Sequence, residues 1–221
     1  LIETDLRKVE ELVDLTTHQQ VPLEVMSDRG REGFVHVRFL ARDLPSVGYK
    51  CFQVRTVSAP AATSSSLDSK PVIENKYYRI TIDAQSGAIQ SIFDKELQRE
   101  LVDTASPYRF GQYLYVTGGG QTRMIHPDKS LPAAELVIHP ATKGEYVGAQ
   151  KTPWGYSIKL RSSDVNTPEI GLEILLFDNE KKMEFRYTVE KSYTTAKEAV
   201  YFAFPADIES PKFKYATQQG W

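Results

Sequence analysis

Residues 73–102 read Ile73-Glu-Asn-Lys-Tyr-Tyr-Arg-Ile-Thr-Ile-Asp83, Ala84-Gln-Ser-Gly87, then Ala88-Ile-Gln-Ser-Ile-Phe-Asp-Lys95-Glu-Leu-Gln-Arg-Glu-Leu-Val102. Two runs rich in β-branched and aromatic side chains flank a short segment carrying Asp83, Ser86 and Gly87. That pattern writes a β-hairpin whose turn ends on a left-handed glycine. An Asn75-x-x-Tyr78 entry and a charged exit from Asp94 to Glu100 set it apart from a generic hairpin.

Before the hairpin, the stretch from Thr56 to Pro71 is dominated by Ser, Ala, Thr and Pro, which cannot bury enough apolar surface to form a core. The chain therefore divides into a small β unit at 1–56, a linker at 57–71 and a larger β domain at 72–221. In the small unit, residues 1–8 read as a helix turn or linker. Short strands follow at Leu12–Leu15, Val21–Val25, Phe34–Leu40 and Tyr49–Val54. Val35, Val37 and Phe39 alternate with His36 and Arg38, which places the last two on a polar face. Four short strands suggest a small sandwich.

After the hairpin, strands are expected at 108–117, 135–139, 144–149, 155–161, 171–177, 182–189 and 198–204. In 182–189, Met183, Phe185, Tyr187 and Val189 alternate with polar residues, the mark of an antiparallel strand with one wet face. No stretch holds a helical period. The fold class is all-β, with stacked antiparallel sheets.

Composition narrows function by exclusion. The 221 residues carry 27 Lys and Arg against 29 Asp and Glu, a net charge of −2 with no basic stripe, which argues against a nucleic-acid partner. Cys51 is the single cysteine, so neither a disulfide framework nor a Cys-based zinc knuckle can form. It reads as a buried, inert thiol in a strand. No run approaches the roughly 20 apolar residues needed to span a bilayer, so no membrane partner is expected. The first residues lack the basic start and apolar core of a signal peptide. The compartment stays open, with a slight lean to the cytoplasm. The absence of an initiating Met suggests a piece of a longer protein.

Few residues offer chemistry. His126-Pro127-Asp128 has a metal-site spacing, with His139 further on, but the proline and polar setting favour a surface turn. His18 and His36 read as solvated. Asp94, Glu96, Glu169 and Glu173 are candidates for the paired carboxylates of glycoside chemistry, and the sequence singles out none. Glu96, Arg99 and Glu100 read better as exposed ion pairs. Tyr113, Tyr115, Trp154 and Tyr156 offer faces on which a sugar ring could stack, against the alternative of core packing. Gly118-Gly-Gly120 leads into Gln121-Thr-Arg123 without the Lys-Ser or Lys-Thr pair of a phosphate loop. The candidate substrate-binding set is Tyr113, Tyr115, Arg123 and Trp154, with no catalytic or metal-binding residue.

The hairpin, with Arg99-Glu-Leu-Val-Asp103 behind it, closely resembles the start of the C-terminal β domain of glycoside hydrolase family 38 α-mannosidases. Lys197-Glu-Ala-Val-Tyr-Phe-Ala-Phe-Pro205 and Gln219-Gly-Trp221 resemble a further family segment. Upstream, Val13–Val25, Phe39–Ala41 and Val47–Tyr49 resemble the small β unit that precedes this domain in bacterial members.

The resemblance implies a galactose-mutarotase-like supersandwich for 73–221. It also implies a retaining, zinc-dependent parent whose nucleophile and metal lie in an N-terminal catalytic domain outside this sequence. That domain would be the partner, and this portion alone would hold no cofactor and be inactive. The family's zinc-binding His-x-Asp lies in that other domain, so His126-Pro-Asp128 is not its counterpart. The Ser-Gly-Ala-Tyr segment of some eukaryotic members has no match near Gly118–Arg123. Two alternatives remain: a stand-alone carbohydrate-binding module on Tyr113, Tyr115 and Trp154, and a mutarotase-like epimerase pairing His126 or His139 with Glu169 or Glu173.

Overall fold

A computed structural model describes residues 1–6, 11–26, 34–55, 70–118 and 136–212. Among them every regular element is a strand, and the protein is all-β. No helix of the described residues is long and apolar enough to cross a membrane. The chain falls into two compact units, Leu1–Ser66 with Gln150–Gly155, and Leu67–Ala149 with Tyr156–Trp221.

The first unit holds two three-stranded sheets. One is built from β1 (Ile2–Leu6), β5 (Val35–Phe39) and β4 (Leu23–Met26), with β5 central. The other comprises β3 (Gln20–Val21), β2 (Glu11–Asp14) and β6 (Phe52–Arg55), with β2 central. Phe39 of one sheet meets Phe52 of the other edge to face at 5.2 Å.

Four expectations change here. Residues 2–6 are a strand rather than a helix turn or linker, because β5 offers them a complete antiparallel register from Ile2 against Phe39 to Leu6 against Val35. Arg38 is fully buried instead of lying on a wet face. Its Nε donates to Glu3 Oε1 at 2.7 Å, and Glu24 lies 3.6 Å from its Nη1, so flanking strands supply the anions that make burial tolerable. His36 is likewise held, with Nδ1 at 2.6 Å from Asp5 Oδ1 and Nε2 at 3.7 Å from Glu3 Oε2. Cys51 is exposed rather than buried, since it precedes β6 instead of pairing within it.

The second unit opens with the hairpin. β7 (Val72–Glu74), β8 (Tyr78–Asp83), β9 (Ala88–Asp94) and β10 (Arg99–Glu100) form one antiparallel sheet in reverse chain order. Gly87 has φ +62°, the left-handed turn residue expected from the sequence. A bulge between Thr81 and Ile82 keeps Ile80, Ile82, Ile89 and Ile92 on the buried side.

A second four-stranded sheet contains β13 (Glu145–Thr152), β14 (Gly155–Asp164), β15 (Thr167–Phe177) and β16 (Met183–Glu190). The hairpin isoleucines pack against Ile158, Leu160, Leu172, Ile174 and Leu176 of this sheet, which makes a two-layer core. Fully burying each such side chain stabilises by about 1.5–3 kcal/mol. Met183, Phe185 and Tyr187 pack against the same core from β16, as their alternation required.

A third sheet has β11 (Gln112–Gly118) between β12 (Leu136–Pro140) and β17 (Glu198–Ala203). β11 is shorter than the expected 108–117 run. Gly111 has φ +81°, and Phe110 makes only an isolated bridge to Ile89.

Candidate functional site

Side-chain hydrogen bonds concentrate at the two ends of the hairpin. Asn75 Oδ1 accepts from the Tyr77 and Tyr78 amides at 2.9 and 2.8 Å, while its Nδ2 donates to the Phe177 carbonyl at 2.8 Å. At the exit, Asp94 Oδ1 accepts from the Glu96 and Leu97 amides, both at 2.9 Å. Lys181 bridges Asp94 and Glu96 at 2.9 and 2.8 Å. Burial would raise the Asp94 carboxyl, but the Leu97 amide and Lys181 outweigh it and hold it below its usual range.

Glu100 is not the exposed ion-pair member that its sequence suggests. Oε1 accepts from the amides of Ile92, Leu101 and Val102, and Oε2 from the Ser91 hydroxyl at 2.5 Å. Its carboxylate closes the β9 to β10 turn as a capping group. Glu96 does pair, with Lys181, while Arg99 donates to the Asp207 carbonyl.

The sugar-stacking candidates are placed differently from one another. Tyr113 is 2% exposed and its hydroxyl meets Thr167 Oγ1 at 2.7 Å. Tyr115 is 1% exposed. Its hydroxyl donates to Glu198 Oε2 at 2.6 Å and accepts from Asn166 Nδ2 at 2.9 Å. Lys191 lies 5.3 Å from the Tyr115 ring centre and 2.8 Å from Glu198. It is the main cause, before Tyr115, of the lowered Glu198 carboxyl. Both tyrosine rings face inward with Ala141, Ile170 and Phe202, so neither presents a stacking face to solvent. Arg123 and His126-Pro-Asp128 lie outside the described residues.

Trp154 sits in the first unit's grouping and lines a cavity of about 260 Å³ there, together with Asp14, Gln20, Arg42, Lys50 and Phe52. Its indole N–H is buried and has no hydrogen-bond partner among the described residues. The sequence suggested Trp154 but missed its companions, which come from four separate stretches and share no motif.

The two acids on β15 differ in their surroundings. Glu173 accepts from Ser157 Oγ at 2.7 Å and Glu169 lies 4.0 Å from Arg161 Nε. His139, on β12, lies beside Tyr115 with ring centres 6.1 Å apart, in a different sheet from both glutamates. Among the described residues no group of three or more His, Cys, Asp or Glu side chains could hold a metal ion.

The outer face of the β12-β11-β17 sheet is also apolar. Leu114, Val116, Ile138, Ala199 and Tyr201 line a groove of about 490 Å³, with Leu136 at its end. Residues 73–221 match the glycosyl hydrolases family 38 C-terminal domain. The chain belongs to that family. The match begins at Ile73, on β7, and so takes in the whole hairpin. No curated protein matches the chain. The family 38 C-terminal domain thus accounts for the second unit's β-rich sheets, and Leu1–Ser66 of the first unit lies ahead of it.

Proposed function

We propose that this chain is the non-catalytic β portion of an α-mannosidase-like glycoside hydrolase, acting as scaffold and as one wall of the substrate cleft. The observation that carries the proposal is the family 38 C-terminal domain match over residues 73–221. The engagement of Asp94 and Glu173 in structural hydrogen bonds supports it, because a catalytic acid has to be free to exchange protons with substrate. In this reading the partner is the N-terminal catalytic domain of the same polypeptide, which supplies the nucleophile and the zinc. The groove of the third sheet supports such a partner, since Leu136, Ile138 and Tyr201 are exposed along it and exposed apolar side chains gathered at one place mark an interaction face.

Assay of the purified chain with an aryl α-mannoside, with and without added zinc, tests the proposal. No turnover is expected. Saturable hydrolysis that survives repurification would overturn it.

A further inference from the structure

The first unit contains a polar cavity whose lining lies ahead of the family match at Ile73, apart from Pro153 and Trp154. Its lining is balanced in charge: Asp14 and Asp43 oppose Arg42 and Lys50. Lys50 Nζ sits 2.8 Å from Asp14 Oδ2, and both groups are largely buried, with side-chain exposures of 6% and 9%. The same ammonium donates to the Arg42 carbonyl at 2.8 Å, which ties the loop after β5 to the end of β2. Asp14 Oδ1 accepts from the Thr16 amide at 2.8 Å. These bonds fix the polar groups in advance, and binding to a preset constellation avoids the entropy of ordering it.

Net neutrality disfavours an anion or a cation as ligand. A lining of acceptors and donors, including the amide of Gln20, suits hydroxyl groups, which both donate and accept. Phe52, held edge to face by Phe39, and Trp154 add apolar walls that match the C–H face of a ring. The volume of about 260 Å³ falls just below the size of about 300 Å³ at which pockets for drug-sized molecules begin. That leaves room for one ring. We propose that this cavity binds a neutral monocyclic polyol, a single pyranose unit, between Asp14, Gln20, Lys50 and Trp154. The inference rests on the proposed function only for choosing a mannoside as its first probe.

The chain has two tryptophans, Trp154 and Trp221, so its indole N–H region in a proton–nitrogen correlation spectrum holds two side-chain signals. A Trp221→Phe variant assigns them. Titrating the full chain with methyl α-mannoside, methyl α-glucoside and myo-inositol should move the Trp154 signal saturably in the millimolar range and leave Trp221 still. Gln20→Ala, at an exposed position, should weaken that binding about fivefold, as loss of one hydrogen bond implies. Response to the glucoside or inositol but not the mannoside would support the cavity as a polyol site while counting against mannose as its natural ring. Silence of Trp154 with all three, equal movement of both signals, or a saturable response to inorganic phosphate instead would overturn the inference. None of these outcomes bears on the hydrolysis assay.

Discussion

The side-chain amide of Asn75 donates to the carbonyl of Phe177 at 2.8 Å, and so joins the entry of the hairpin to the last residue of β15. One buried residue satisfies three backbone groups in two layers of the core. Asn75→Ala leaves two amides and a carbonyl to find new partners, and should destabilise the second unit by about 2–4 kcal/mol. Asn75→Asp keeps the two acceptor contacts but turns a carboxylate oxygen towards the Phe177 carbonyl, so it should not rescue. Urea unfolding followed by tyrosine fluorescence measures both.

Glycine at 144 has a steric role. A Cβ there would overlap the Gly87 nitrogen and the Ala84 carbonyl oxygen, because residue 144 lies directly against the hairpin turn and donates to the Gln85 carbonyl at 2.8 Å. These are backbone atoms that cannot swing aside. Gly144→Ala should therefore cost more than about 3 kcal/mol, above the range of most single substitutions. Gly87→Ala meets the Arg161 carbonyl at 2.7 Å and is also strained by φ +62°. Both variants should lower the thermal midpoint, and Gly144→Ala should do so further in differential scanning calorimetry.

The hairpin shows what sequence can and cannot tell. Its turn, its left-handed glycine and its buried isoleucines follow from alternation and from the short list of residues that tolerate positive φ. Arg38 does not, since alternation predicts a wet face and the burial depends on Glu3 and Glu24, which reach it from β1 and β4 on either side. Glu100 looked like one charge among several, and only the close return of β10 onto β9 turns it into an acceptor for three amides. The cavity beside Trp154 was equally hidden, because its walls are joined by folding and not by spacing.

Acid should weaken the first unit through Asp14. Its hydrogen bond with Lys50, opposed by burial and helped by the Thr16 amide, lowers the carboxyl from 3.8 to about 2. A carboxyl held lower in the folded state stabilises above its unfolded pKa, and that contribution disappears as pH falls through the folded one. The loss should therefore fall between about pH 4 and pH 2. Asp14→Asn should flatten this part of the stability profile while lowering stability at pH 7, where Lys50 is left buried without its partner. Denaturant midpoints across that range give the slope.

Tyr115 should prove structural. Tyr115→Phe removes the donor to Glu198 and the acceptor for Asn166, and should cost about 1–2 kcal/mol. If the ring is closed to solvent as its burial indicates, the variant should leave any sugar response of Trp154 unchanged. A combined melt and titration reads the two effects separately.

The grouping of Gln150–Gly155 with Leu1–Ser66 has a consequence for how this protein can be divided, in the laboratory or in evolution. A gene cut between the units would hand the N-terminal half a cavity lacking Pro153 and Trp154, encoded some hundred residues downstream in the other half. Modules that recombine freely carry all their own walls. This one does not, so a segment cut out at Leu1–Ser66 is expected to lack part of its own unit.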